Sequence, residues 1–359
     1  MHVTLVSGID PSAAQAGGTR TYVLGLAERL ARRNVSVSLV ARNGGTAPVE
    51  GVDYVRIRSG PSSVRFLMRL LASAPGLRIP RESIIHVQRP DDLVAFAFTK
   101  RRNPKVCTLH GIPALGVRRR KGTTVSAVYG VLERAGLRRA DRVIAVDART
   151  ADWYRSRYPS LASRIIIVPV AVDGMRFRPL DRSAARARFA VTTKHVVAFA
   201  GRLSPEKRVD ALIAAVRELP DAVLLIAGDG PEEGRLRQVA RGASVTFLGA
   251  IPHDDMPILL NAADILALPS EYEGMPTVVL EALACGTPVV ATHAGGIADV
   301  VTPGKTGWLL RDVDALAETL KDALPKGGGM RAACVTAARP YAWDSVVDRI
   351  LAVYREAAA

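Results

Sequence analysis

Cysteine is nearly missing from this chain. Cys107, Cys285 and Cys334 are far apart, and none sits in a C-x-x-C spacing. An odd, sparse set argues against a disulfide frame or a zinc cluster and for a reducing compartment. Aromatic residues are only 5% of the sequence, and no nucleic-acid-binding motif is recognisable, which speaks against a nucleic-acid-binding role. No apolar run approaches the roughly 18 residues of a membrane span. The start reads as a strand, Val3-Thr4-Leu5-Val6, with no basic segment leading into an apolar one. No secretory signal is read there, and the expectation is a cytoplasmic protein, at most peripheral on the inner face of the cell membrane. There is no G-x-S-x-G elbow, no H-E-x-x-H pair and no G-x-x-x-x-G-K-[ST] loop, so the usual hydrolase, zincin and P-loop chemistries are not indicated. Internal repeats and low-complexity tracts are also missing.

Acid is scarce in the first half. Residues 1–180 carry 30 Lys/Arg against 12 Asp/Glu, whereas residues 181–359 carry 19 against 22. The whole positive excess behind the net charge of +15 therefore lies on one side of the midpoint. Such asymmetry suits a phosphorylated ligand, an anionic membrane or nucleic acid; an arginine-rich solvated surface would also produce it.

The 359 residues leave room for two domains, each with its own core. Short apolar runs alternate with longer amphipathic segments. In the first half the pattern predicts strands at 2–7, 35–41, 53–57, 83–87, 105–109, 142–146 and 164–168. Helices are expected between them at 18–32, 62–73, 90–99, 123–139 and 147–157. The second half repeats the style, with strands at 195–200, 222–227, 244–248, 264–268, 288–291 and 307–310. This alternation predicts an α/β fold of two Rossmann-like domains, each a parallel sheet covered by helices, facing a central cleft. The expected boundaries are residues 1–170, 180–340 and a closing helical segment 341–359. Gly327-Gly328-Gly329 reads as a loop.

Four clusters carry chemistry. The first runs Glu273-Gly274-Met275-Pro276-Thr277 through Glu281 to Pro288. Pro276 suits the first turn of a helix, where its missing N–H costs nothing. Glu273 then lies in the leading loop, and Thr277 and Glu281 share a helical face. Exposed N–H groups at this helix start can receive hydroxyl or phosphate oxygens. The second is Gly201-Arg202-Leu203-Ser204-Pro205-Glu206-Lys207, directly after an apolar strand. Two cations five residues apart make a pyrophosphate clamp, Arg202 as a planar fork and Lys207 as a mobile point charge. The third, Gly17-Gly18 before a helix, allows backbone N–H groups to approach an anion. The fourth is His110, at the carboxyl end of a strand, facing either the cleft or a structural partner. Asp91-Asp92 and Asp254-Asp255 read as helix-start residues and not as metal ligands.

Together these strings resemble the retaining glycosyltransferases of family 4, which have the GT-B fold. The resemblance covers the chain and is densest from Gly201 to Leu310, through GRLSPEKRVD, IAGDGPEEGRL, FLGAIPHDDMP, ADILALPSEYEGMPTVVLEALACGTPVVAT and GGIADVVTPGKTGWLL. It implies that Arg202 and Lys207 bind the donor diphosphate and that Glu281 bonds the ribose. Glu273, with the N–H groups of Gly274 and Met275, would hold hydroxyls of the transferred sugar. Gly18 would touch the diphosphate or acceptor, His110 would lie beside the sugar, and Ile251 would border the base. The implied reaction moves a hexose-type unit from a nucleoside diphosphate sugar, UDP- or GDP-linked, to an acceptor hydroxyl with retention. No metal and no further cofactor are expected. The linker, Val168-Pro169-Val170-Ala171-Val172-Asp173, departs from the Asn-Gly usual after that proline, and Ala298-Asp299 stands where Pro-Glu is commoner. A sugar-nucleotide epimerase on the same fold is the rival enzyme reading. The acceptor domain matches in layout more than in motif. Its charge points to an anionic or lipid-linked glycan acceptor or an anionic membrane, met by Arg118-Arg119-Arg120-Lys121. The segment Val64–Leu71 either lies at such a surface or buries its apolar face.

Overall fold

The computed structural model describes residues 1–12, 18–43 and 49–359, and their side chains except at 114–121. The chain forms two compact units, residues 1–170 with 344–359, and residues 171–343.

In the first unit seven parallel strands form one sheet. They are β1 (His2–Ser7), β2 (Ser36–Arg42), β3 (Val52–Ile57), β4 (Ile84–Val87), β5 (Lys105–Leu109), β6 (Arg142–Ala145) and β7 (Ile165–Ile167), in the order β3-β2-β1-β4-β5-β6-β7. The central strands are buried almost throughout, as a parallel sheet covered on both faces requires. Four helices follow strands of this sheet: α1 (Gly18–Arg32), α2 (Ser63–Ser73), α3 (Pro113–Leu137) and α4 (Ala148–Arg157). One face is covered by α2, the 3₁₀ segment Pro90–Phe96, the end of α3, and α4, which pack Phe66, Leu70, Phe96, Leu137 and Tyr154 onto Val87, Cys107 and Val143. On the other face His86 bonds Thr108 Oγ1 and the Tyr354 hydroxyl, both at 2.7 Å. Helix α3 begins ten residues before the expected position and takes in 118–121. At Gly122, φ is 80°, so two helical pieces meet at a kink there. Gly136 lets α3 lie flat on the 3₁₀ segment, since a Cβ there would meet the Pro90 carbonyl oxygen at 1.8 Å.

Between α3 and that 3₁₀ segment the chain buries carboxyls. Glu133 accepts from the hydroxyls of Tyr154 and Tyr158, each at 2.8 Å. Asp91 is paired with Arg89, whereas Asp92 is fully buried with no hydrogen-bond partner among the described residues. Burial, reinforced by Asp91, pushes Asp92 up to about 8. A carboxyl raised in the folded state adds stability below its unfolded value, and that stability is lost as pH rises toward the folded value. Asp92→Asn should therefore gain on the wild type as pH rises from about 4 to 8, by up to about 1.4 kcal/mol per unit. Urea unfolding at several pH values checks this, and a pH-independent difference would remove the neutral-carboxyl assignment.

The second unit holds six parallel strands: β8 (His195–Ala200), β9 (Ala222–Ala227), β10 (Val245–Gly249), β11 (Ile265–Leu268), β12 (Val289–Thr292) and β13 (Gly307–Leu310), in the order β10-β9-β8-β11-β12-β13. Its helices are α5 (Arg182–Arg188), α6 (Val209–Arg217), α7 (Glu233–Val239), α8 (Met256–Ala262), α9 (Thr277–Ala284), α10 (Leu316–Lys326) and α11 (Arg331–Ala338). The pattern gave no sign of α5 and α11, which each bury only one or two small side chains. Gly327-Gly328-Gly329, expected as a loop, lies in a 3₁₀ turn, Gly327–Met330, between α10 and α11.

The last helix, α12 (Trp343–Ala358), packs with the first unit. It buries Val346, Val347, Ile350, Val353 and Tyr354, contributing roughly 1.5–3 kcal/mol per large side chain before ordering costs. Arg33 pairs with Asp344 and Asp348, and Arg142 with Glu356, but these partners are exposed and add little. Apolar burial therefore holds α12 in place.

Candidate active site

In an open parallel sheet a ligand binds where the strand order reverses, beyond the carboxyl ends of the strands. In the second unit that point lies between β8 and β11. The two loops leaving it are 201–208 and 269–276, which hold Arg202, Lys207, Glu273, Gly274 and Met275. The sequence-predicted residues are thus brought together by topology, although some 70 positions separate them in the chain.

Direct bonds lace the loops. The Lys207 ammonium donates to Glu273 Oε1 at 2.6 Å, and both side chains are largely buried. The Glu271 amide donates to the Glu206 carbonyl at 2.8 Å, and Arg208 pairs with Glu271 at 3.1 Å. A third loop supports the second, because the Gly296 amide donates to the Gly274 carbonyl at 2.9 Å. Arg202 differs from Lys207: its side chain is exposed and makes no hydrogen bond or ion pair among the described residues. Pro276 caps α9 from just outside, so Gly274, Met275 and Pro276 lead straight into the helix start. Ser204 and Ser270, one in each loop, have buried hydroxyls without a partner among the described residues.

Glu281 is buried on α9, one turn beyond Thr277. His253 Nε2 lies 3.5 Å from Glu281 Oε1. The other ring nitrogen, Nδ1, accepts from Arg176 Nη1 at 2.6 Å, which leaves Nε2 to carry the proton toward Glu281. Phe177 meets the same ring edge-on at 5.3 Å. His253 thus orients the carboxylate, a role the sequence reading missed; its only signal was its place in the FLGAIPHDD string. Ile251, two residues before it, lines a pocket of about 320 Å³ with Phe189, Leu248 and Ile258, and with Arg188 and Asp255.

In the first unit the order reverses between β1 and β4. Gly18 opens α1 after the β1 loop, with open space where a Cβ would stand. Gly17 lies outside the described residues, as do the side chains of Arg118, Arg119, Arg120 and Lys121. Gln88 directly follows β4. His110, at the end of β5, donates from Nε2 to Gln88 Oε1 at 2.9 Å, and its ring meets Tyr22 edge-on at 5.0 Å. The packing around it pushes His110 down to about 4, so the imidazole is neutral at physiological pH. This geometry leaves the buried Gln88 amide nitrogen without a partner among the described residues.

Two parallel-sheet units, the second with Lys207 paired to Glu273 across its switch-point loops and Glu281 buried on the helix that follows, give the layout of a glycosyltransferase of GT-B architecture. The chain belongs to glycosyltransferase family 4. The model of that family matches residues 16–175, and the model for glycosyl transferases group 1 matches residues 181–340. The D-inositol 3-phosphate glycosyltransferase of Mycobacteroides abscessus is 33% identical over 395 residues, spanning 98% of this chain and 87% of that protein. Among solved structures, sucrose-phosphate synthase from Thermosynechococcus elongatus matches with a TM-score of 0.84 at 24% identity, over 99% of this chain and 98% of that one. The Anabaena protein HepE in complex with UDP-glucose matches at 0.78 and 21% identity, over 98% of both chains.

Proposed function

We propose that the enzyme transfers a hexose-type unit from a UDP- or GDP-sugar to a hydroxyl of an anionic acceptor, with retention and without a metal ion. The observation that carries this reading is the Lys207–Glu273 pair at 2.6 Å, which joins the phosphate-side loop to the sugar-side loop at one switch point. On donor binding the Lys207 ammonium turns to the diphosphate, and Arg202 adds a planar fork. Glu273 is then released to accept hydroxyls of the sugar, alongside the amides of Gly274 and Met275. Glu281, held by His253, takes the ribose. The leaving diphosphate develops charge that these cations and the start of α9 stabilise. Arg202 and Lys207 are the cations proposed for this task. Neutral His110, fixed through Gln88, offers a hydrogen-bonding group near neutral pH and no charge.

An anionic acceptor is supported by the charge of the first unit and by the name of the D-inositol 3-phosphate relative, whose acceptor is a phosphorylated polyol. A UDP-sugar donor is supported by the UDP-glucose complex of the HepE neighbour. All three cysteines are buried and free, and a reducing, cytoplasmic setting suits such a set.

Thermal-shift titration with UDP-, GDP-, ADP- and dTDP-sugars, in EDTA, tests the donor assignment. A matching donor at 100 times its Kd should add about 2.7 kcal/mol. Glu281→Gln should lose most of that gain. Stabilisation that requires Mg²⁺ or Mn²⁺, or that survives Glu281→Gln in full, would overturn the site as drawn.

A further inference from the structure

Nine large apolar side chains are exposed among the described residues, and seven of them lie on one helical layer of the first unit. Helix α2 turns Phe66, Leu67 and Leu70 inward, yet it also carries a second apolar stripe, with Val64 at 59% and Met68 at 62% exposure and Leu71 beside them. Phe98, just past the 3₁₀ segment, is 77% exposed. On α3, Val125, Val128 and Val131 recur every three residues, at 44%, 60% and 69% exposure. These elements all pack on the same face of the sheet, through the one core that holds Phe66, Phe96 and Leu137. Their outward side chains therefore share the outer surface of one layer.

Cations are interleaved with this apolar set. Arg65 and Arg69 are exposed between Val64 and Leu71 on α2. Arg101 and Arg139 stand over the Phe98 ring, 6.0 and 5.9 Å from its centre. From Ser63 to Arg139 the sequence holds 16 Lys/Arg and four Asp/Glu. Of the four acids, Asp91, Asp92 and Glu133 are buried, which leaves Glu82 as the exposed one. An apolar patch this broad is rare on a surface meant only for water. A nucleic-acid backbone would account for the cations but not for the aliphatic stripes between them. Apolar side chains that enter the acyl boundary, ringed by cations that meet the headgroups, fit an anionic bilayer.

We propose that this layer of the first unit, centred on α2, Phe98 and the exposed face of α3, docks the enzyme reversibly on an anionic lipid surface. The inference rests on the surface of the first unit and goes beyond the transfer reaction. No helix among the described residues is long and apolar enough to cross a membrane, so docking on the surface is the contact this face can make.

Co-sedimentation of the full chain with phosphatidylcholine vesicles, with and without phosphatidylglycerol, is the test. Binding should require the anionic lipid and weaken with salt. Arg65→Gln with Arg69→Gln should lower the affinity roughly thirtyfold. Met68→Ser with Phe98→Ser should lower it comparably while leaving the salt dependence in place. A charge-matched control on the second unit, Arg311→Gln with Arg339→Gln, should change nothing. Circular dichroism and transfer to a water-soluble acceptor show that each variant is folded and separate this outcome from failure of the proposed chemistry. Wild type that ignores anionic vesicles, or binding untouched by both surface pairs, would overturn the proposal. Lipid-free self-association abolished by Met68→Ser with Phe98→Ser would also overturn it, by making the face a contact between copies of this chain.

Discussion

Lys207→Ala and Arg202→Ala should each cost about ten- to a hundredfold in kcat/KM, the worth of one charge-assisted bond of roughly 1.5–3 kcal/mol. Their stabilities should part company. Arg202 is exposed and unpartnered among the described residues, so its loss should leave Tm unchanged. Lys207 neutralises Glu273, whose side chain is only 9% exposed. Deleting the cation strands that carboxylate, and breaking a largely buried pair in this way destabilises by up to about 3 kcal/mol. Adding Glu273→Gln to Lys207→Ala should restore Tm without restoring activity, because the stranded charge is gone while the phosphate ligand is still missing. Calorimetry and initial-rate kinetics on the three variants decide it. Near-normal kcat/KM in both single variants would remove the clamp, and equal Tm losses in both would remove the distinction drawn between them.

That distinction was not legible in the sequence, although much else was. Strand–helix alternation is a local signal, and it located all thirteen strands to within a residue or two. The loops 201–208 and 269–276 were legible as motifs, because each carries a distinctive local string, Gly201 to Lys207 and Glu273 to Pro276. The helices α5 and α11 were not legible, since RSAARAR and RAACVTAA carry almost no apolar periodicity. Such short helices are fixed by tertiary partners: Arg182 and Arg186 on α5 both pair with Asp264, at 2.8 and 2.7 Å. His253 escaped notice for a similar reason, because its partners Arg176 and Glu281 are distant in the chain. For Val64–Leu71 the sequence offered burial or an interface, and the helix has an apolar stripe for each. Glycine was the least legible of all. Gly201 was singled out, and it is its φ of +158° that favours glycine, since a Cβ there would meet nothing closer than Phe199 at 3.5 Å. Gly228, Gly230 and Gly295 have no room to spare, each pressed against a carbonyl of a site loop.

Gly228→Ala and Gly295→Ala should therefore disable the enzyme although neither residue touches substrate in the proposed site. At Gly295, with φ +58°, a Cβ would stand 2.1 Å from the Gly274 carbonyl oxygen and 2.5 Å from that of Glu273. Real atoms do not approach so closely, so the 273–274 loop must move away, taking the Glu273 carboxylate and the Gly274 amide with it. A displacement near 1 Å of a positioning group costs about a hundredfold, and that is the fall in kcat expected for Gly295→Ala. At Gly228, with φ +133°, a Cβ would stand 1.9 Å from the Gly201 carbonyl oxygen. That φ disfavours alanine even without the clash, and the peptide pushed aside is the one that leads into Arg202. Gly228→Ala should mainly weaken donor binding, by tenfold or more if one charge-assisted bond is lost. Gly234 on α7 is the control, with nothing within 4 Å of its Cβ position. Gly234→Ala should keep full activity and gain up to about 1 kcal/mol of helix stability. Donor titration and single-turnover rates on the three variants separate binding from transfer. If Gly295→Ala transfers at the wild-type rate, the loop does not hold the sugar and Glu273 loses its assignment. If Gly228→Ala binds donor normally, the phosphate side of the site lies elsewhere than after β8.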